Sequence, residues 1–336
     1  ADINLGGAAG NRYNVKGAVS RTTTTDTISG SGTSTSPVII RGYGTVIGDG
    51  NQGRTSANGD LVTTNMPAVT YTSGRLTVTG AWVIVESLNV TGAANASTLS
   101  VGTDNVVKGC KAVNSGTGAG AIALSSNGLR SVLFDNDAQL TGGSGGAAAL
   151  QHTGASGRVL NNRVKSGQAV GIICQSTPAV VGNVIFVQTG LGISVNSTAG
   201  SPLIYGNTVV GGTTDGIDIV TGTTGLQCIV NNIITDNGGY AADLNSTAVA
   251  GFFAYNRTRD NTSGAINLGT DWAAATSYGH VTSGAGTSDY TNAAGNDYTL
   301  ISTSPAKGAG WFSYMDIGAL QRQESASGGG GFIIGG

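Results

Sequence analysis

Charge is what this chain of 336 residues most lacks: Asp, Glu, Lys and Arg make up 10% of it, against roughly 25% in an ordinary globular protein. The few charges nearly cancel, leaving a net −2, so a polyanionic partner such as nucleic acid is excluded. Cysteine is scarce. Cys110, Cys174 and Cys228 are odd in number and widely spaced, which excludes a disulfide framework and a cysteine metal motif. No run of 18 apolar residues occurs, which removes a helical membrane span. No Ser-His-Asp arrangement, phosphate-binding loop or Cys-His metal spacing appears either, and the sequence implies no cofactor. Low charge and 57 glycines would suit a disordered chain, so the decision rests on whether the apolar residues keep a register.

They do. The stretch SPLIYGNTVVGGTTDGIDIV, residues 201–220, reads as strand, Asn-bearing turn, strand, Gly turn, strand. Its Asn recurs as Asn136, Asn162, Asn183, Asn207, Asn232 and Asn256, in steps of 26, 21, 24, 25 and 24. Two weaker copies precede these, with Cys110 and Ser87 at the Asn position. Three residues before the Asn the chain is apolar: Ile84, Val107, Leu133, Val159, Val180, Ile204, Ile229 and Phe253. After it come Leu99, Ile122, Ala148, Ile172, Ile193, Ile217, Ala242 and Ile266. Two residues later again stand Val101, Leu124, Leu150, Cys174, Val195, Ile219, Leu244 and Leu268. A spacing of two puts both columns on one face of a strand. A repeat of two dozen residues made of short strands is a solenoid, whose units must stack because none can bury its apolar face alone.

The fold expected is all-β: a single parallel β-helix with irregular caps. Residues 1–83 form an opening cap and one or two irregular coils, with strands at 38–44 and around Val69, Tyr71, Leu76 and Val78. Residues 84–268 form eight regular coils, a rod of roughly 38 Å at about 4.8 Å per coil. Residues 269–323 close it, with Trp311 and Phe312 over the last coil, and 324–336 are a Gly-rich tail. The tail ends in Phe332, Ile333 and Ile334, either a frayed end or a short strand that docks on a neighbouring subunit or particle. The chain begins with Ala, as expected where a signal peptide, or only an initiator Met, has been removed.

The Asn-x-Val/Ile and Gly-Ile coils resemble the right-handed parallel β-helix superfamily that includes pectate lyases. That resemblance implies an Asn ladder, each side chain bonding the next coil. SPAKGAG…DIGALQ, 304–321, resembles the terminator of many bacterial and phage β-helix proteins, and SPVIIRGYG with IGDG resembles their first coils. In these relatives lyases use an acidic calcium cluster beside a basic residue, and hydrolases use paired Asp motifs with a Gly-His-Gly segment. Here the two histidines, His152 and His280, stand in QHTG and YGHV; His152 is read as a turn residue.

Two columns could carry chemistry. One residue past the Asn lie Lys111, Asp137 and Arg163, read as a solvated charge ladder. Between the inward columns of the Gly-turn strand runs an outward one: Ser100, Ala123, Ala149, Ile173, Ser194, Asp218, Asp243 and Asn267. Asp218 and Asp243 become neighbours there, with Asp215 three residues earlier. Two carboxylates so placed suit retaining glycoside hydrolysis or a hard cation, yet no basic residue shares their frame. The reading is therefore of a non-enzymatic structural or adhesive surface protein, a phage virion component such as a capsid decoration or fibre-like protein, on a virion surface or outside the cell. It would form a homo-oligomer, by analogy a trimer, or contact other virion proteins. Asp215, Asp218, Asp243 and Asn267 would meet a cell-surface polysaccharide, and Phe332, Ile333 and Ile334 an assembly partner; no catalytic or metal-binding residue is expected. The alternative is a polysaccharide lyase, glycoside hydrolase or glycan-binding module on the Asp218–Asp243 face.

Overall fold

The computed structural model describes residues 6–21, 25–50, 52–55, 59–176, 178–196, 200–220, 225–244, 250–267, 276–278, 281–282, 289–295, 297–310 and 316–319. Trp311, Phe312, His280 and the tail residues Phe332, Ile333 and Ile334 lie outside the described residues.

The chain is a parallel β-solenoid. Among the described residues, every coil but the last gives one strand to each of three long sheets, two of 11 strands and one of 10, and each strand pairs with those one coil away. In one coil these strands are Leu203–Tyr205, Thr208–Val210 and Ile217–Ile219; their sheets are called first, second and third below. Coils begin earlier than expected: Arg12–Lys16 and Val38–Tyr43 already pair with each other and with Val83–Glu86. The supposed opening cap thus contains two full coils, the second interrupted by residues 44–67 between Val38–Tyr43 and Ala68–Tyr71.

Alternation decides what each strand buries. Leu133, Val159, Val180 and Ile204 from the first sheet are fully buried in one core. Val164, Ile185 and Val209 from the second sheet, and Leu150, Ile172, Ile193 and Ile217 from the third, join them. Each such side chain contributes about 1.5–3 kcal/mol on leaving water, and the same contribution recurs in every coil.

The turn between the first two sheets has two residues. The leading one is left-handed throughout, from Ser87 (φ 57°) and Gly109 (57°) through Asp135, Asn161, Gly182 and Gly206 to Asn231 (64°). Gly, Asn and Asp dominate this column because other side chains clash there. The trailing residue is the recurrent Asn. Its Nδ2 donates to a carbonyl of the coil before, and its Oδ1 accepts from that coil's Asn backbone and side chain; Asn162 takes both at 2.9 and 3.0 Å from Asn136. The ladder runs from Asn136 to Asn256, capped by the Cys110 amide donating to Asn136 Oδ1 at 3.0 Å. In the coil before Cys110 the Asn position belongs to Leu88, not Ser87, and the inward residue is Val85, not Ile84. Without an Asn to mark it, that coil was counted one residue short, and a one-residue slip exchanges the faces.

A second correction concerns the third sheet. Leu99 pairs with Leu124 and Leu150, and Val101 with Ser126 and His152. Ile122 and Ala148 stand opposite Ser97 and Val170, two residues earlier in the strand than the inward column expected for them. The outward neighbours of Ser100 are therefore Ser125 and Gln151, not Ala123 and Ala149. His152 is not in a turn. It points into the coil between Ser126 and Cys174, fully buried, with the Gly154 backbone as the polar group that acts on its ring.

A buried imidazole of this kind gives the fold an acid dependence. Burial lowers the His152 pKa from its ordinary 6.5, so below that pH the unfolded chain takes up the proton before the folded one. Stability from this group is whole above pH ~6.5 and is lost as pH falls toward the lowered value. His152→Leu is expected to flatten that part of a urea-midpoint profile against pH and to raise stability at pH 7. An unchanged acid slope in the variant would place the dependence elsewhere.

The outward faces of the three sheets differ. The third is polar. The second is covered in part by the chain itself: Arg54, Asp60 and Leu61 lie over its strands at Asp137 and Arg163, and described residues between 289 and 319 lie over later ones. Tyr290, Tyr298, Ala306 and Ile317 form a second buried cluster with Val184, Val210 and Ile233. The DIGA segment docks there, with Gly318 N donating to Asn231 O at 2.8 Å and Ala319 N to Thr208 Oγ1 at 3.0 Å. The described part of the terminator thus packs along the side of the rod, where the expectation set a cap over its last coil. The first sheet's outward face is apolar. One row joins Ile39, Ile84, Val106 and Val132 through Arg158 to Ala179, Leu203, Cys228 and Phe252. A second row sets Phe134, Leu160, Val181 and Tyr205 side by side.

Candidate functional site

The third sheet brings the expected acidic residues together. Asp218 pairs with Asp243, and Asp243 with Asn267, in adjacent strands. Asn267 Nδ2 donates to Asp243 Oδ1 at 3.2 Å. Asp215 enters from the loop before Ile217–Ile219, and its Oδ1 accepts the Tyr240 amide at 2.6 Å. All four side chains are half-buried, walled by the loops that link the second and third sheets. Ile173 and Ser194 continue the row in the earlier coils, and Gln151 precedes them.

The electrostatics follow from that packing. Burial, then Asp243, then Asp215 push Asp218 up to about 6. Asp215 is also raised, by burial first and by Asp243, against the lowering effect of the Tyr240 amide. No cation is among the groups acting on either acid. Among the described residues no group of three or more His, Cys, Asp or Glu is arranged to hold a metal ion. Below about pH 6 the site can therefore present a protonated Asp218 carboxyl, together with amide and hydroxyl groups at strand pitch.

The charged column of the second sheet is not a solvated ladder. Asp137 and Arg163 are buried, with 7% and 5% of their surface exposed. Segment 54–61 covers them. Arg54 binds Asp135 and Asp137 at 2.8 and 2.6 Å, Asp60 binds Arg163 and Lys165 at 2.7 and 2.8 Å, and the Leu61 amide donates to Asp137 Oδ2. Where this segment approaches the C-terminal one there is a cleft of about 450 Å³, with Arg54, Asp135, Asn161, Arg163, Asp297 and Tyr298 in its lining. The Arg163 guanidinium lies 5.9 Å from the Tyr298 ring centroid. The only signal for this region in the sequence was the Lys111–Asp137–Arg163 column; nothing local marks residues 54–61 as its cover.

These observations define a class: a right-handed parallel β-helix with one polar, one self-covered and one apolar face. No family model matches the chain, and no curated protein does. Among solved structures it is similar to pectate lyase Pel9A, with a TM-score of 0.66 and 14% identity over 94% of this chain and 88% of that one. It is also similar to the periplasmic alginate epimerase AlgG (TM-score 0.49, 13% identity, 82% and 78% covered). A third is the Dettilon tailspike protein (0.47, 12%, 80% and 61%). At these identities the likeness establishes the fold.

Proposed function

We propose that this chain is a non-enzymatic adhesive surface protein, a virion component that holds a neutral polysaccharide along the outer face of its third sheet. The observation that carries the reading is the half-exposed row from Gln151 to Asn267, in which hydrogen-bonding groups, interrupted only at Ile173, repeat at about 4.8 Å with Asp215, Asp218 and Asp243 toward one end. A linear polar polymer fits a linear polar row. The acids, with no cation among the groups shifting Asp215 and Asp218, disfavour a polyanionic glycan. The terminator at 304–321, similar to that of phage β-helix proteins, supports a virion surface as the setting.

The test is calorimetric binding to a panel of neutral and acidic polysaccharides, with reducing and unsaturated ends assayed in parallel. Binding of a neutral glycan without new chain ends is expected, weakened at least tenfold in Asp243→Ala. Asp218→Asn should lose affinity while melting no lower at pH 7, because ionising Asp218 works against its burial and its two acidic neighbours. That penalty builds as pH rises from the ordinary 3.8 toward about 6 and is complete above it. Absence of binding across the panel would overturn the proposal.

One observation favours a second reading, glycoside hydrolysis. An acid raised to about 6 beside a second carboxylate is the division of labour a retaining hydrolase needs. It predicts release of reducing ends, abolished in Asp218→Asn. An unaltered glycan length distribution after prolonged incubation would dismiss it.

A further inference from the structure

The outward face of the first sheet does not read as a face made for water. Along the row from Ile39 to Phe252 eight of nine side chains are apolar and Arg158 is the one charge. None of the nine is buried, and Leu203 and Phe252 keep 38% and 45% of their surface exposed. In the neighbouring row Phe134 is 38% exposed, and the charged trio Arg41, Glu86 and Lys108 is ion-paired within itself at one end. The other two faces are accounted for, the second sheet by the chain's own segments and the third by its polar row.

We propose that the outer face of the first sheet is where a second copy of this chain packs, two rods lying side by side with these faces together. Three features select that occupant. Nine strands at about 4.8 Å and a width of up to five residues at about 3.3 Å make a flat area on the order of 600 Å². A soluble monomer rarely leaves an apolar patch of more than a few hundred Å², whereas a stable interface takes about 800 Å² from each partner, within reach once the rims join. The surface is ridged at the pitch of its own strands, and the surface whose ridges match over that length is another copy. Its charges are the trio Arg41, Glu86 and Lys108, paired among themselves at one end, and Arg158, which can lift its guanidinium clear on its aliphatic stem, so a strongly charged partner finds little to pair with. One such face per rod closes a two-fold pair, where the sequence alone had suggested a trimer.

Sedimentation equilibrium of the full chain tests this. A species of twice the chain mass is expected, tightening as salt rises because apolar burial drives it and the Arg158 charges are screened. Leu203→Lys and Phe252→Lys, at exposed positions, should each weaken the pair at least tenfold with unchanged melting. Ser194→Lys on the third sheet should leave it intact. A monomer up to millimolar concentration, a threefold species, or association that survives both lysine variants would overturn the proposal. So would association lost only on removal of residues 324–336.

Discussion

Asn207→Leu is expected to destabilise the fold by about 3–5 kcal/mol, because it strips hydrogen bonds from buried groups in two coils at once. Asn207 Oδ1 accepts the backbone and side-chain amides of Asn183, each at 2.9 Å. Its Nδ2 donates to Val180 O and to Asn232 Oδ1, both at 2.9 Å. Leucine has about the right volume and none of these bonds. The Asn183 backbone amide would then be buried without a partner, at about 1–3 kcal/mol, while Val180 O and Asn232 Oδ1 would each lose one bond. Urea unfolding followed by circular dichroism measures the loss; a cost under about 1 kcal/mol would mean the ladder is ornamental to stability. The contrasting variant is Cys110→Asn. There the ladder stops, and the thiol sits only 3.7 Å from Val85 O. An Asn side chain would extend the ladder by one rung, and the change should be neutral or stabilising.

The same ladder explains why so much of the fold was legible. From Asn136 to Asn256 every coil poses the same hydrogen-bonding problem and answers it with the same residue, so the letters repeat. Where the answer changes, the frame slips: Leu88 holds the rung position without an Asn, and the count there failed by one. The slip of two at Ile122 and Ala148 has another origin. Both strands are five residues long and open on three apolar or small residues, so a shift of two keeps the same faces inward and only the pairing of Leu124 with Leu99 chooses. At the candidate site, Asp218, Asp243 and Asn267 were legible because a constant coil length makes them neighbours. His152 was not. A titratable ring is rarely found inside a core, so no local reading would place it there.

The two covering segments were illegible for a different reason. Arg54 meets Asp137 across 83 residues, and Ala319 meets Thr208 across 111. Neither segment repeats, so no column announces them. What they leave in the sequence is indirect: charged or aromatic side chains, such as Asp137, Arg163 and Phe186, on strands that would otherwise face water.

Asp289→Asn is expected to release the C-terminal segment from the rod. Asp289 and Arg257 are each 1% exposed and joined by two bonds, Nε to Oδ2 at 3.1 Å and Nη2 to Oδ1 at 3.0 Å. Arg259 Nε reaches Oδ2 at 3.2 Å, and Ser304 Oγ donates to Oδ1 at 2.9 Å. Arg259 also pairs with Asp260 at 2.7 Å, so it is Arg257, on the outer face of the second sheet, that depends on the Asp289 carboxylate. The amide preserves the shape and removes the charge, leaving Arg257 buried and uncompensated, which costs about 3–5 kcal/mol. The solenoid core shares none of these contacts, so the cost falls on docking: hydrogen exchange should rise at Tyr290, Tyr298 and Ile317, and protease cleavage within 289–319, while the amides of Ile193 and Ile217 stay protected. Replacing both members, Asp289→Leu with Arg257→Met, removes the charges together and should restore most of the protection. If the single variant leaves exchange at Tyr298 and Ile317 unchanged, the clasp does not hold the segment, and the apolar contacts of Tyr290, Tyr298 and Ile317 with Val184, Val210 and Ile233 suffice alone.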